Sequence, residues 1–184
     1  MGFKNKKDYI YNTLHEEKID ICLFQEVEIL KNYPMNILSS KDFKLEIEKA
    51  TVKARCAIAI KNNVDYTRRN DLEDVDLNMC VIDLNGPNNY RIINFYRPFN
   101  PPNNFSQLEH FAMQMNKIDK LFDNLNGKQI IIAGDFNLDE SMRFSTEYRN
   151  KQLFEIQNVV VEKYNLSQII AFHTWPKFHF VFEK

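Results

Sequence analysis

Two periods of apolar residues alternate along this chain, and each change of period marks a predicted element. Apolar side chains recur every three to four residues in three segments, which predicts amphipathic helices at 5–17, 106–125 and 147–164. Between these segments, compact or alternating apolar runs predict strands at 19–24, 43–47, 55–60, 77–84, 90–96, 128–134 and 168–173. This order predicts an α/β protein, and it fits a sandwich better than a parallel doubly wound sheet.

The middle of the chain carries the turn signals. The residues NGPNN at 85–89 join the strands at 77–84 and 90–96, and we expect a β-meander that runs from the strand at 43–47 to the strand at 90–96. RPFNPPNN at 97–104 contains three prolines and three asparagines, a composition that excludes regular structure and predicts a loop. The charged segment DLEDVD at 71–76 is interpreted as a solvated acidic loop.

Composition limits the protein classes that remain. With 184 residues, 44% of them hydrophobic, the chain can form one sizeable core, so we expect a single domain over residues 1–184. A net charge of -1 excludes a highly basic, histone-like binder, although a local basic groove is compatible with it. No apolar run reaches the ~18 residues of a membrane span, and the first residues do not resemble a signal peptide. We therefore expect an intracellular, non-secreted protein without a membrane partner, in the nucleus or the cytoplasm.

Two predicted strands are followed directly by a carboxylate. Glu26 follows the run IDICLF, and Asp135 follows IIIAG. The carboxyl ends of strands are where α/β proteins bind ligands, and Mg²⁺ is held by one or two carboxylates together with water and substrate phosphate oxygens. The pair therefore indicates phosphoester hydrolysis assisted by a divalent ion. Each carboxylate also has a plainer interpretation, a solvated acid for Glu26 and an Asx turn for Asp135 to Asn137.

A fixed order of short motifs surrounds these carboxylates. They are LFQEVE at 23–28, RCAIAI at 55–60, NFYRPFNPPN at 94–103, GDFN at 134–137 and HTW at 173–175. With these motifs the chain resembles the endonuclease/exonuclease/phosphatase superfamily, which includes pancreatic deoxyribonuclease, and most of all the endonuclease domains of non-LTR retrotransposons. The resemblance implies a four-layer α/β sandwich, with two mixed β-sheets flanked by helices, and a metal-dependent DNA endonuclease.

The resemblance also implies a role for each matching residue. Glu26 and Asp135 would hold Mg²⁺, with Mn²⁺ as the alternative ion, and Asp135 would also orient or deprotonate the attacking water. Asn137 would hydrogen-bond the substrate phosphate and Asp135. Tyr96 would donate to the phosphate, and Arg97 would contact a phosphate of the DNA substrate.

The chain also departs from the family pattern at both ends. The asparagine of the family's first strand and the serine-aspartate-histidine segment of its last strand have no counterpart, and His179 lacks that context. We therefore expect a sandwich truncated at both ends, that is, an incomplete domain with impaired activity. Two alternatives stay open, an inactive remnant that still binds metal or nucleic acid, and a phosphatase acting on a small phosphoester. A full-length relative would carry a reverse-transcriptase domain, and the sequence leaves the oligomeric state open.

Overall fold

The predicted helices and strands occur along the chain in the expected order, together with a short helix and two strands that were not predicted. Of the last predicted strand, at 168–173, only Gln168 is among the described residues. The computed structural model describes residues 3–75, 77–87, 89–138, 147–168 and 179–183. Its helices are α1 (Phe3–Glu16), α2 (Met35–Leu38), α3 (Gln107–Asp123) and α4 (Tyr148–Tyr164), with a 3₁₀ turn at Asn70–Leu72. Its strands are β1 (Ile21–Leu30), β2 (Phe43–Ile47), β3 (Lys53–Lys61), β4 (Tyr66–Arg68), β5 (Met79–Leu84), β6 (Tyr90–Tyr96), β7 (Gln129–Asp135), β8 (Ser167–Gln168) and β9 (His179–Glu183).

The strands form two sheets. Sheet A has the order β1-β3-β2 with antiparallel neighbours, and sheet B has the order β4-β5-β6-β7-β9-β8. Sheet B is mixed, because β6 and β7 run parallel while the neighbouring pairs are antiparallel. The parallel pair is joined by the crossover helix α3, as parallel neighbours require. The α/β sandwich with two sheets flanked by helices is therefore confirmed.

The predicted β-meander is wrong. The strands at 43–47 and 53–61 belong to sheet A, whereas the hairpin of β5 and β6 belongs to sheet B. The reason is that β3 is apolar on both faces: Ile58 and Ile60 are buried against sheet B, while Ala57 and Ala59 are buried against α1. An apolar run shows that a strand is covered, but it does not show which sheet covers it.

Three apolar layers hold the sandwich together. Helix α1 packs on the outer face of sheet A through Tyr11, Leu14, Phe43 and Leu45. The layer between the sheets contains Cys56, Ile58, Ile60, Cys80, Ile82 and Ile92. Helices α3 and α4 cover the outer face of sheet B through Phe111, Ile118, Leu153, Val160, Val81, Ile93, Phe95 and Ile132. Within the described part of the chain, no helix is long and apolar enough to cross a membrane.

The acidic segment at 71–76 does not form a uniformly solvated loop. Glu73 is 2% exposed, and its carboxylate forms an ion pair with Arg68. It also accepts hydrogen bonds from the backbone N–H groups of Lys49 (2.9 Å) and Val81 (2.6 Å). A buried carboxylate needs such partners. Lys49 follows β2 of sheet A, whereas Arg68 and Val81 lie on β4 and β5 of sheet B, so Glu73 links the two sheets. Asp76 lies outside the described residues.

Candidate functional site

The alternation of side chains along β6 and β7 brings the predicted site residues to one face. Ile92, Asn94 and Tyr96 point toward the layer between the sheets, because successive strand residues point to opposite faces. Tyr96 pairs with Asp135 in the parallel register of β6 and β7, so the two residues lie side by side at the carboxyl ends of adjacent strands. The edge of sheet B therefore carries a tyrosine and a carboxylate together.

Glu26 reaches the same edge from sheet A through a β-bulge. The sequence predicts a strand that ends before Glu26, but β1 continues to Leu30. The pairing with β3 shifts between Gln25 and Ile29, and Glu26 has a φ of 55°. A bulge bends its strand and redirects side chains, which is why it is frequent beside functional sites. The expected strand end is thus wrong, and the bulge is what points Glu26 toward the neighbouring sheet.

A hydrogen bond between the sheets joins Tyr96 to Glu26. The Tyr96 hydroxyl donates to Glu26 Oε1 over 2.8 Å. Burial raises the pKa of Tyr96 above its ordinary value, and the bond to Glu26 and the charge of Asp135 raise it further. The hydroxyl therefore keeps its proton at neutral pH and acts as a hydrogen-bond donor. Glu26 itself is exposed, so its carboxylate faces the solvent beside this bond.

A tight turn follows β7 and contains Asn137. The Asn137 N–H donates to Asp135 Oδ1 over 2.9 Å, which is the Asx-turn geometry. Asn137 has a φ of 47°, and its Nδ2 donates to the Arg97 carbonyl over 2.5 Å. Phe136 stabilises the turn, because its ring stacks on the ring of Phe95 with centroids 4.4 Å apart. The turn thus fixes Asp135 and Asn137 relative to the loop that follows Tyr96.

Arg97 is buried, and its guanidinium holds this turn. It is 2% exposed and donates from Nε to the Phe136 carbonyl over 2.5 Å and from Nη2 to the Asn137 carbonyl. Burial lowers the pKa of Arg97 to about 10, partly offset by the negative charge of Asp135, so the side chain remains protonated at neutral pH. These contacts give Arg97 a positioning role, and its direct contact with a substrate phosphate stays a prediction.

Two residues that connect the sheets beside the site, Asn94 and Gln25, were not identified from the sequence. Asn94 is fully buried and donates from Nδ2 to the carbonyls of Phe24 and Ala57, each over 2.9 Å. Its Oδ1 accepts a hydrogen bond from Gln25 Nε2 over 2.5 Å. The signal was a single asparagine inside the apolar strand YRIINFY, because a polar residue in a buried strand needs partners.

Comparison with known proteins agrees with this geometry. The profile of the Endonuclease/Exonuclease/phosphatase family matches residues 1–180. The chain belongs to this family. Enzymes of the family generally use divalent metal ions. No curated protein sequence matches the chain significantly.

Solved structures similar to this family member share its fold. The endonuclease domain of TRAS1, a telomere-specific non-LTR retrotransposon, has a TM-score of 0.67 at 14% identity, over 96% of this chain and 78% of that one. An AP endonuclease from Archaeoglobus fulgidus has a TM-score of 0.59 at 11% identity, over 99% and 82%. The 3' phosphatase NExo from Neisseria, bound to product DNA hairpin, has a TM-score of 0.58 at 14% identity, over 86% and 67%.

The residues of this edge fit a hard divalent ion of the magnesium type. Such an ion needs one or two carboxylates and takes its other ligands from water and substrate. Glu26 supplies an exposed carboxylate, and Asp135 adds negative charge close by. Among the residues that the structure describes, no group of three or more His, Cys, Asp and Glu side chains forms a protein-only metal site. The motif residues Thr174 and Trp175 and the side chain of His179 lie outside the described part.

Proposed function

We propose that this protein is a metal-dependent phosphodiester hydrolase that cuts DNA as an endonuclease. The observation that carries the proposal is the 2.8 Å hydrogen bond between Tyr96 and Glu26, with Asp135 paired in register beside Tyr96. Three residues from distant segments and from both sheets thus meet at one edge. The names of the similar structures support a DNA substrate, since they include a retrotransposon endonuclease domain, an AP endonuclease and a phosphatase bound to a DNA hairpin.

In this proposal, each site residue has a separate role in hydrolysis. Glu26 holds the ion, which is Mg²⁺ in this proposal, with Mn²⁺ as the alternative. The bound ion supplies charge stabilisation of the phosphoryl oxygens and the leaving oxygen. Asp135 orients the attacking water and accepts its proton at the carboxylate. Asn137 donates a hydrogen bond to the phosphate, and Tyr96 donates one when its single hydroxyl proton turns from Glu26 to the bound phosphate. Such oriented donors stabilise the charge that develops on the phosphate.

Nicking of supercoiled plasmid tests the proposal. We expect purified protein to nick the plasmid with Mg²⁺ and not with chelator. Glu26→Gln and Asp135→Asn should each lower the rate by about 10² to 10⁴, the usual range for losing a group that moves a proton or holds the ion. Glu155→Gln is the matched control, since it neutralises an exposed carboxylate on α4 and should leave the rate unchanged.

Two results would overturn the endonuclease proposal. One is folded wild-type protein that leaves the plasmid intact, which would favour an inactive remnant. The other is nicking that survives in both variants. Hydrolysis of small phosphoesters in preference to plasmid, measured by competition, would instead identify a phosphatase.

A further inference from the structure

The bulge in β1 directs a second carboxylate, Glu28, away from the site and onto β3. Residues 26–28 have no register partner and lie opposite Arg55, because Gln25 pairs with Cys56 and Ile29 with Ala54. Glu28 has a φ of 57°, and its carboxylate forms ion pairs with both Lys53 and Arg55. All three side chains are partly exposed, between 32% and 38%. This cluster is therefore accessible to a ligand.

The same two cations line a groove beside the candidate site. Its volume is about 290 Å³, and besides Lys53 and Arg55 it is bounded by the loop after Tyr96 and by polar side chains. The polar residues of this lining are Thr51, Asn78, Asn100 and Asn103. Arg55 also belongs to the site's electrostatics, since its positive charge lowers the pKa of Tyr96 while burial raises it. The groove lies next to the edge where Tyr96 meets Glu26, because its lining includes Asn78, whose carbonyl accepts a hydrogen bond from the Tyr96 N–H over 3.0 Å.

We propose that this groove binds a phosphate of the nucleic-acid backbone that flanks the cleaved one, and that Glu28 is the counter-charge this phosphate must displace. The inference rests on the proposed function, because it assigns a second phosphate of the same substrate. Lys53 and Arg55 are two positions apart on β3 and share one face, so both can approach one anion. The amide side chains of Asn78, Asn100 and Asn103 add uncharged donors around it.

Glu28 makes the groove selective for an extended chain. A free phosphate ion that replaces Glu28 makes no other contact with the site. It only exchanges one anion for another at Lys53 and Arg55, so it gains little free energy of binding. A DNA strand whose cleaved phosphate is already bound by the donors Tyr96 and Asn137 presents its next phosphate at high effective concentration, so it can displace the carboxylate. Glu28 thereby lowers affinity for small phosphate esters more than affinity for DNA.

Binding measured without hydrolysis tests this assignment. The probe is a short fluorescein-labelled DNA duplex, followed by anisotropy in chelator at several salt concentrations. Glu28→Gln should bind about 3- to 10-fold more tightly than wild type, and the slope of log affinity against log salt should steepen by roughly one phosphate contact. Asp20→Asn is the matched control: it removes the partner of Lys61, at the other end of β3, with the same change in net charge.

Further variants tie the gain to the groove and identify the ligand. Lys53→Gln and Arg55→Gln, introduced into Glu28→Gln, should abolish the gain. Lys53→Gln alone should weaken binding about 2-fold or more, a result that does not depend on the bulge remaining intact. Inorganic phosphate, added as competitor, should displace the duplex more readily from Glu28→Gln than from wild type.

The outcomes separate this inference from the proposed function. Equal affinities of Glu28→Gln and Asp20→Asn would overturn the groove assignment, and so would a gain that persists without Lys53 and Arg55, or a duplex that binds none of these proteins. None of these binding results would contradict the proposal of Mg²⁺-dependent nicking. Conversely, protein that never nicks but shows the Glu28 effect in chelator would overturn the endonuclease proposal and leave the binding groove in place.

Discussion

Individual residues of the site divide into those that face the substrate edge and those that hold the backbone. The Tyr96 hydroxyl donates to the exposed Glu26 over 2.8 Å, whereas the guanidinium of Arg97, the next residue, donates to the backbone carbonyls of Phe136 and Asn137. The alternation of the strand places Tyr96 between the sheets, and the chain turns immediately afterwards. Adjacent residues of one motif therefore serve two purposes, and their hydrogen-bond partners distinguish them, since both side chains are buried.

Glu48 is a buried carboxyl whose protonation should set the pH dependence of stability. It is 4% exposed, its Oε1 accepts a hydrogen bond from the Arg55 N–H, and its Oε2 has no hydrogen-bond partner in the described part of the chain. Burial is the main reason that the pKa of Glu48 rises from 4.5 to about 8; hydrogen bonds from the backbone of Arg55 and Cys56 oppose the rise, and the charge of Glu73 adds to it. The folded protein therefore binds this proton more tightly than the unfolded chain does.

The sign of the effect follows from that difference. The stability contributed by Glu48 should be fully present below about pH 4.5 and should be lost as the pH rises through about 8. Glu48→Gln stays neutral, so at about pH 9 we expect it to exceed wild type in free energy of unfolding by on the order of 3 kcal/mol. Urea denaturation across this range measures the difference. Glu155→Gln, exposed on α4, is the control, and a Glu48→Gln curve parallel to wild type would contradict the assignment.

At the scale of elements, the parallel ladder of β6 and β7 depends on the absence of a side chain at Gly134. A Cβ at this position would lie 1.8 Å from the Phe95 carbonyl oxygen, which no rotamer can relieve. We expect Gly134→Ala to lower the free energy of unfolding by about 2–4 kcal/mol, because the two strands must separate locally. The same shift should displace Asp135 from Tyr96 and slow nicking.

Gly86 provides the control for that substitution. It also has a positive φ, 90°, but a Cβ there would meet nothing within 4 Å. Gly86→Ala should therefore cost only about 1 kcal/mol, from backbone conformation alone. Chemical denaturation of the two variants compares them directly. Equal losses would mean that the close approach to Phe95 does not constrain the ladder.

The elements also show how far the sequence predicts this structure. The capping box of Ser106 and Glu109 is local, so the helix start that it predicts is confirmed. The bulge at Glu26 was not predicted, because the charged residues after IDICLF were interpreted as the end of the strand and the register shift arises only from pairing with β3. Glu73 was interpreted as solvated because its partner Arg68 is on another element and only the fold brings them together. The roles assigned to Glu26, Asp135 and Asn137 stay predictions from the resemblance.

For the whole molecule, the important feature is that the candidate site spans two sheets. Glu26 belongs to sheet A, and Tyr96 and Asp135 belong to sheet B, so their distance is set by how the sheets pack. Most of the layer between the sheets is apolar and non-directional. Asn94 adds direction, since its hydrogen bonds reach Phe24 and Ala57 on two strands of sheet A. Beside the site, the register between the sheets should therefore depend on this side chain, whose two bonds add to the one between Tyr96 and Glu26.

Asn94→Leu tests that dependence. Leucine fills a similar volume but leaves the carbonyls of Phe24 and Ala57 without these donors, so we expect a loss of about 2–3 kcal/mol in the free energy of unfolding. The nicking rate should fall by at least about 10-fold at temperatures where the variant is fully folded, because small displacements of reacting groups are costly. Ile82→Ala is the matched variant: it destabilises the same layer by about 2–5 kcal/mol but keeps every hydrogen bond of Asn94. If both variants lose stability and only Asn94→Leu loses activity, the hydrogen bonds between the sheets position the site. If the two lose activity equally, packing alone does so, and Asn94 is only a satisfied polar group of the core.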